Sequence, residues 1–241
     1  MTKKDSQNPD IFGQALLDFH TDNYTEDITV ISSLTEDDEI PVPYLFRDFD
    51  AMPLVEQEAL KLAKGKTLDI GSCAGSHSLY LQNKGIDVTA LDVSQGAISV
   101  CQKRGISKTI ESNILSYTEK NYNTLLLMMN GSGIFETLKN TQYYLKHLHS
   151  LLKKGGQILI DSSDIAFMYE EEDGSYWRDA SREYYGEVTF KIQYKNQTSE
   201  AFDWLYIDFK TLKSEAEKAG FSCKKIIDGP HYDYLAQLIK L

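Results

Sequence analysis

The sequence predicts an α/β fold in which a mostly parallel sheet is covered by helices on both faces, and two observations carry this. Apolar runs of strand length alternate with segments whose apolar residues recur at helical spacing, and glycines close several of those segments. Parallel neighbours need crossover connections, which the intervening helices supply. At 241 residues the chain has the length of one elaborated domain with a sizeable core.

After a polar start, "IFGQALLDFH" reads as a short amphipathic helix and "LTEDDEIPVP" as an acidic, turn-rich segment. Residues 1–50 are therefore expected to form an N-terminal cap, and residues 51–241 the main domain. Pro53 opens a helix that runs to about Lys64, with Leu54, Val55, Ala59, Leu60, Leu62 and Ala63 apolar and Gly65 as the stop. "KTLDI" is a buried strand, "HSLYLQNKG" a helix closed by Gly85, and "IDVTALD" a second strand. "SQGAISVCQKRG" is a helix capped by Ser94 and stopped by Gly105. "KTIES" and "NTLLLMM" give a third and a fourth strand. Leu138, Leu145, Leu148, Leu151 and Leu152 then mark one face of a helix before the fifth strand, "QILID". The helix "TLKSEAEKAG", the strand "FSCKKII", a turn at "DGPHYD" and the run "YLAQLIKL" close the chain.

Between the fifth strand and the last helix lies an insert, about residues 162–206, too long for a simple connection. Its stretch "EVTFKIQYKNQTSEAFDWLYID" reads as two strands around a polar turn, a β-hairpin that serves as a lid. Both tryptophans and six of the fifteen tyrosines lie between Asp164 and Tyr206, with ten acidic residues against four basic ones. Aromatic faces beside carboxylates suit a neutral or cationic organic molecule, although strands favour aromatics for packing alone.

Composition narrows the partners. With 25 Lys and Arg against 36 Asp and Glu, the formal charge of -11 disfavours nucleic acid and anionic membranes. Cys73, Cys101 and Cys223 are odd in number and scattered, which points away from a disulfide framework or a zinc site and toward a reducing cytoplasm. His147 and His149 face different ways on one helix, so no metal is expected. The first residues lack the apolar region of a signal peptide, and "LLLMM" is too short to span a bilayer.

Ligands of open α/β sheets bind at the carboxyl ends of the strands, which directs attention to "LDIGSCAGSHSLYLQNKGIDVTALDVS". Gly71 and Gly75 permit a tight turn, and the helix beginning at Ser76 and His77 offers free N–H groups. Asp92 ends the second strand 21 residues beyond Gly71, where its two oxygens can accept both hydroxyls of a ribose. Asp69 lies under the loop, able to hold backbone N–H groups or, through water, a ligand amino group. The G-x-G-x-x-G dinucleotide pattern would fall on Gly71, Cys73 and Ser76, so it is largely missing.

With "ALDVS" added, "LDIGSCAG" resembles motifs I and II of the class I S-adenosylmethionine-dependent methyltransferases, and the likeness extends over roughly Leu54 to Leu241. Asp69, Gly71 and Gly75 match motif I, while Cys73 occupies its middle glycine; Asp92 and Val93 fall in motif II. "SNILSY" is similar to the adenine-reading segment, with Asn113 where an Asp is common and Ile114 against the ring. "LLLMMNGSG" resembles motif IV, with Asn130 just past the fourth strand, and the ending resembles the family's closing hairpin. The resemblance implies a Rossmann-like, seven-stranded sheet with its last strand antiparallel. It also implies S-adenosylmethionine as cofactor, held by Asp69, Gly71, Cys73, Gly75, His77, Asp92, Val93, Asn113, Ile114 and Asn130.

Motif IV carries "NGSG" in place of Asn/Asp-Pro-Pro-aromatic, which disfavours amino-group methylation of nucleic bases, and no Pro-Cys nucleophile is present. A small-molecule acceptor is expected, with Asn130, His231 and Tyr232 as candidate proton acceptors. Arg47, in "PYLFRDF", either pairs with the cofactor carboxylate or makes an ordinary salt bridge. Asp161 either faces the site or caps the loop after it. Two other functions fit the sequence: a cofactor-binding regulator or scaffold without turnover, and an NAD(P)-dependent oxidoreductase.

Overall fold

The computed structural model describes residues 9–170 and 182–241. Its first elements are α1 (Ile11–His20), β1 (Ile28–Ser32), β2 (Asp38–Ile40) and α2 (Leu54–Leu62). The alternating core follows as β3 (Thr67–Ile70), α3 (Ser76–Asn83), β4 (Val88–Asp92), α4 (Gln95–Lys103), β5 (Thr109–Glu111), β6 (Tyr122–Leu127), α5 (Leu138–Leu151) and β7 (Leu152–Ser163). The insert contributes β8 (Glu187–Tyr194), β9 (Gln197–Thr198) and β10 (Phe202–Leu205). After it come α6 (Phe209–Lys218), β11 (Phe221–Asp228) and β12 (Asp233–Lys240).

Seven strands form the main sheet in the order β11-β12-β7-β6-β3-β4-β5. The β3 to β7 ladders are parallel, and β12 runs antiparallel to both β7 and β11, as expected for a closing hairpin. Every residue of β3 is buried, as are Leu125, Leu126 and Leu127 of β6 and Ile158, Leu159 and Ile160 of β7. Such continuous burial along the strands is what a sheet covered on both faces shows. The chain reverses its direction of winding at β3, whose neighbours are β4 and β6, so the loops after β3, β4 and β6 converge at one carboxyl edge.

The N-terminal segment adds strands to the expected helix. β1 and β2 join β8, β9 and β10 in a second, antiparallel sheet, with Thr29 opposite Gln193 and Phe202 opposite Phe190. The cap and the insert are thus one structural layer. Trp177 and Tyr176, which the aromatic reading of the insert included, lie outside the described residues. Among the described residues no helix is long and apolar enough to cross a membrane.

Candidate active site

The loop from Gly71 to Gly75 needs left-handed backbone at three positions, with φ of 74° at Gly71, 52° at Cys73 and 81° at Gly75. Its two glycines differ in what surrounds them. A Cβ on Gly71 would meet nothing within 4 Å, whereas one on Gly75 would lie 2.3 Å from Ile106 Cδ1 and 2.9 Å from Cys101 Sγ. Gly71 leaves the open side of the loop clear; Gly75 lets the loop pack on the α4 side. Cys73 packs among the apolar residues under α1, and burial pushes its thiol well above the ordinary range.

Asp92 sits across the loop. Its Oδ2 accepts the Cys73 N–H and its Oδ1 the Ser94 N–H, both at 2.9 Å, which leaves one further acceptor direction on each oxygen. Burial raises its pKa against those two bonds, helped by the charges of Asp10 and Asp69. Val93, next to it, is exposed, and Ser94 caps α4 by accepting the Ala97 N–H. Beneath the loop, Asp69 is buried and accepts the Ser78 hydroxyl at 2.7 Å. At the end of β5, Asn113 Oδ1 takes the Leu115 N–H and Ile114 is buried in the core.

Asn130 follows Met129 in a left-handed pair, with φ of 64° and 57°. The sequence left two roles open for Asp161, and here it holds this turn, accepting the N–H groups of Asn130 and Gly131, each at 3.0 Å. Burial pushes its carboxyl up to about 6 despite those bonds. The Asn130 amide is also engaged: its Nδ2 donates to Leu205 O and its Oδ1 accepts from the Ser162 hydroxyl. His231 and Tyr232 lie in the turn before β12, beside the end of β7. Both are exposed, and the Tyr232 ring stacks on Phe167 with centroids 4.3 Å apart. On the insert side, Trp204 lies so close to the loop after β6 that a Cβ on Gly133 would sit 1.8 Å from its ring.

Arg47 is buried and donates through Nη2 to both oxygens of Glu56, at 2.5 and 2.6 Å, and through Nη1 to Tyr44 O at 2.7 Å. Its Nε is buried and has no hydrogen-bond partner among the described residues. The His77 side chain also reaches Glu56, with Nε2 2.7 Å from Oε2. Burial alone would raise the Glu56 carboxyl and lower the imidazole. The His77 bond and the charges of His77 and Arg47 outweigh it at Glu56, and the Glu56 bond with the charges of Asp69 and Glu56 does so at His77. These interactions favour the carboxylate at Glu56 and the imidazolium at His77. Glu56 escaped sequence reasoning because a carboxylate in a helix's first turn is usual at the surface too.

A solved structure of an S-adenosylmethionine-dependent methyltransferase from Bacteroides fragilis, in complex with S-adenosyl-L-homocysteine, is 41% identical over 96% of this chain and 95% of that one, with a TM-score of 0.90. The chain belongs to the S-adenosylmethionine-dependent methyltransferases. Residues 68–160 match the family model described as a methyltransferase domain. DesVI of Streptomyces venezuelae is 15% identical over 83% of this chain and 96% of that one, with a TM-score of 0.55. The CcbJ methyltransferase of Streptomyces caelestis is 12% identical over 79% and 91%, with a TM-score of 0.61; these two share the fold. No curated protein matches the chain.

The residues present fit a methyltransferase's cofactor, a nucleoside that carries an amino acid. The open face at Gly71 admits close approach of a ligand to the backbone, and Asp92 keeps acceptor capacity for hydroxyls. The unpartnered Arg47 Nε is a buried donor suited to a carboxylate.

Proposed function

We propose that this methyltransferase acts on a small neutral or cationic organic acceptor, held between the loop after β6 and the aromatic wall formed by β8 and β10. The seating of Trp204 on Gly133 carries this reading, because it brings the insert onto the carboxyl edge where the cofactor loops converge. Asp164, Asp203 and Glu187 lie on the same segment as Phe190, Trp204 and Tyr206, and aromatic faces near carboxylates favour a cationic or neutral guest. The chain's charge of -11 disfavours nucleic acid as acceptor.

In this reading Asp92 accepts the ribose hydroxyls, with Val93 beside it. Asn113 and Ile114 border the adenine, and the backbone of Gly71 and Cys73 lines the nucleoside. Gly75 and Asn130 shape the loops on either side. Asp69 and His77 support the loop from below, and Arg47 Nε meets the carboxylate. The bound cofactor supplies a methyl group already activated by its sulfonium charge. The protein's part is to orient the acceptor's lone pair and keep water out. Such alignment is worth up to about 7–11 kcal/mol in favourable cases. A neutral amine acceptor needs no protein base at the moment of transfer. For a protonated one, Tyr232 and His231 stand at the rim, and Asn130, with both ends of its amide engaged, serves to fix the loop instead.

Trp204→Ala and Tyr206→Ala test the acceptor wall. Methyl transfer from labelled cofactor to a panel of small amines and alcohols should change in rate or preference while cofactor affinity stays near normal. Two folded variants with unchanged kinetics on an identified acceptor would reduce both aromatics to packing residues.

A further inference from the structure

Glu56 is 3% exposed, yet it comes from α2, an element with no place in the cofactor loops. One carboxylate there holds two side chains from separate parts of the chain: Arg47, following the 3₁₀ turn Val42–Phe46, and His77, in the first turn of α3. Apolar side chains of the same volume often stabilise a core as well as a buried ionic group does. Packing alone therefore gives little reason for this trio.

Its geometry gives a better one. With Nη1 and Nη2 engaged by Tyr44 O and Glu56, the Arg47 guanidinium is fixed in one orientation, and Nε is its nitrogen without a partner among the described residues. The turn that carries Arg47 is pinned against the cofactor loop by Ser76, which donates to Leu45 O at 3.0 Å. Arg104 adds to this by donating to Ala74 O at 2.6 Å and to Phe46 O at 3.4 Å.

We propose that Glu56 is a positioning residue of the cofactor site, which clamps Arg47 and His77 so that the site recognises the amino-acid tail of the cofactor and not the nucleoside alone. The proposal rests on the reading that Arg47 Nε meets the tail carboxylate. A fixed guanidinium loses less freedom on binding than a mobile one, and the Glu56 carboxylate keeps Arg47 and His77 together at one end of the site.

The test compares two ligands by calorimetry: S-adenosylhomocysteine, and 5′-methylthioadenosine, a related nucleoside thioether without the amino-acid tail. Glu56→Gln should weaken the first about tenfold and change the second by less than about twofold, since only the tail uses charge-assisted bonds from Arg47. Arg47→Ala should show the same selectivity. If Arg47→Ala leaves the ratio of the two affinities unchanged, the assignment of Arg47 to the tail fails, and the proposal with it. If Arg47→Ala changes the ratio and Glu56→Gln does not, Glu56 is only structural. An equal loss of both ligands in Glu56→Gln also contradicts the proposal. Should Glu56→Gln not fold, Glu56→Asp, which keeps the carboxylate but is too short to span both partners, is judged by the same ratio. In the unsubstituted protein the His77 ring resonances should move with S-adenosylhomocysteine and stay in place with 5′-methylthioadenosine; equal shifts would overturn the idea.

Discussion

Gly71 and Gly75 are both left-handed and both belong to the loop after β3, but substitution should separate them. Alanine at Gly71 pays the left-handed backbone cost of about 1–2 kcal/mol and meets no neighbour. At Gly75 the same cost is joined by overlap with Ile106 and Cys101, and overpacking adds about 1–3 kcal/mol. Thermal melts should therefore show Gly75→Ala clearly less stable than Gly71→Ala, while calorimetry should show Gly71→Ala weakening S-adenosylhomocysteine where the new methyl group lines the open face. Equal stabilities would mean that α4 yields to the added carbon. The glycines, Asp69 and Asp92 were legible in the sequence because a motif with fixed spacing names them. That Gly75 faces the α4 side was not legible, since φ alone does not say which side of a loop is crowded. Glu56 was hidden for a related reason: burial of a charged residue depends on Arg47 and His77, nine and 21 residues away.

Among the elements, α1 is fastened to the start of α4 by one carboxylate. Asp10 Oδ1 caps α1 by accepting the Gly13 N–H at 3.0 Å, and its Oδ2 accepts the Ser94 hydroxyl and the Gly96 N–H, both at 2.8 Å. The helices touch through backbone at this point, since a Cβ on Gly96 would lie 2.5 Å from Gly13 C. Loss of a cap costs about 0.5–2 kcal/mol, and here the same change also removes the bonds to α4. Asp10→Ala should speed amide hydrogen exchange in α1 and the start of α4 while leaving β6 and β7 protected; unchanged exchange in α1 would show that apolar packing alone holds it. The helical period of α1 and the apolar runs of the main sheet were readable locally. β1 and β2 were not, because "EDDEI" carries exposed charges on an edge strand and β1, besides pairing with β2, takes β8 from far along the chain as its other partner. Long-range pairing leaves no mark on local periodicity.

At the scale of the whole molecule, the order β11-β12-β7-β6-β3-β4-β5 brings the loops after β3, β4, β5 and β6 to one edge, and the second sheet stands beside that edge through β10. The strand–helix alternation foretold a mostly parallel sheet, and the seven strands with an antiparallel last one followed from the family resemblance; joining the cap and the insert in one layer required the fold itself. The central claim is that this edge holds S-adenosylmethionine with Asp92 on its ribose. Calorimetric titration of S-adenosylhomocysteine into the unsubstituted protein and Asp92→Asn, with NAD as a competitor, tests it most directly. S-Adenosylhomocysteine should bind and not be displaced by NAD, and Asp92→Asn should lose about 1.5–3 kcal/mol, from roughly tenfold to more than a hundredfold in affinity. Preferential binding of NAD, or a folded Asp92→Asn protein that binds S-adenosylhomocysteine as tightly as the original, would contradict it.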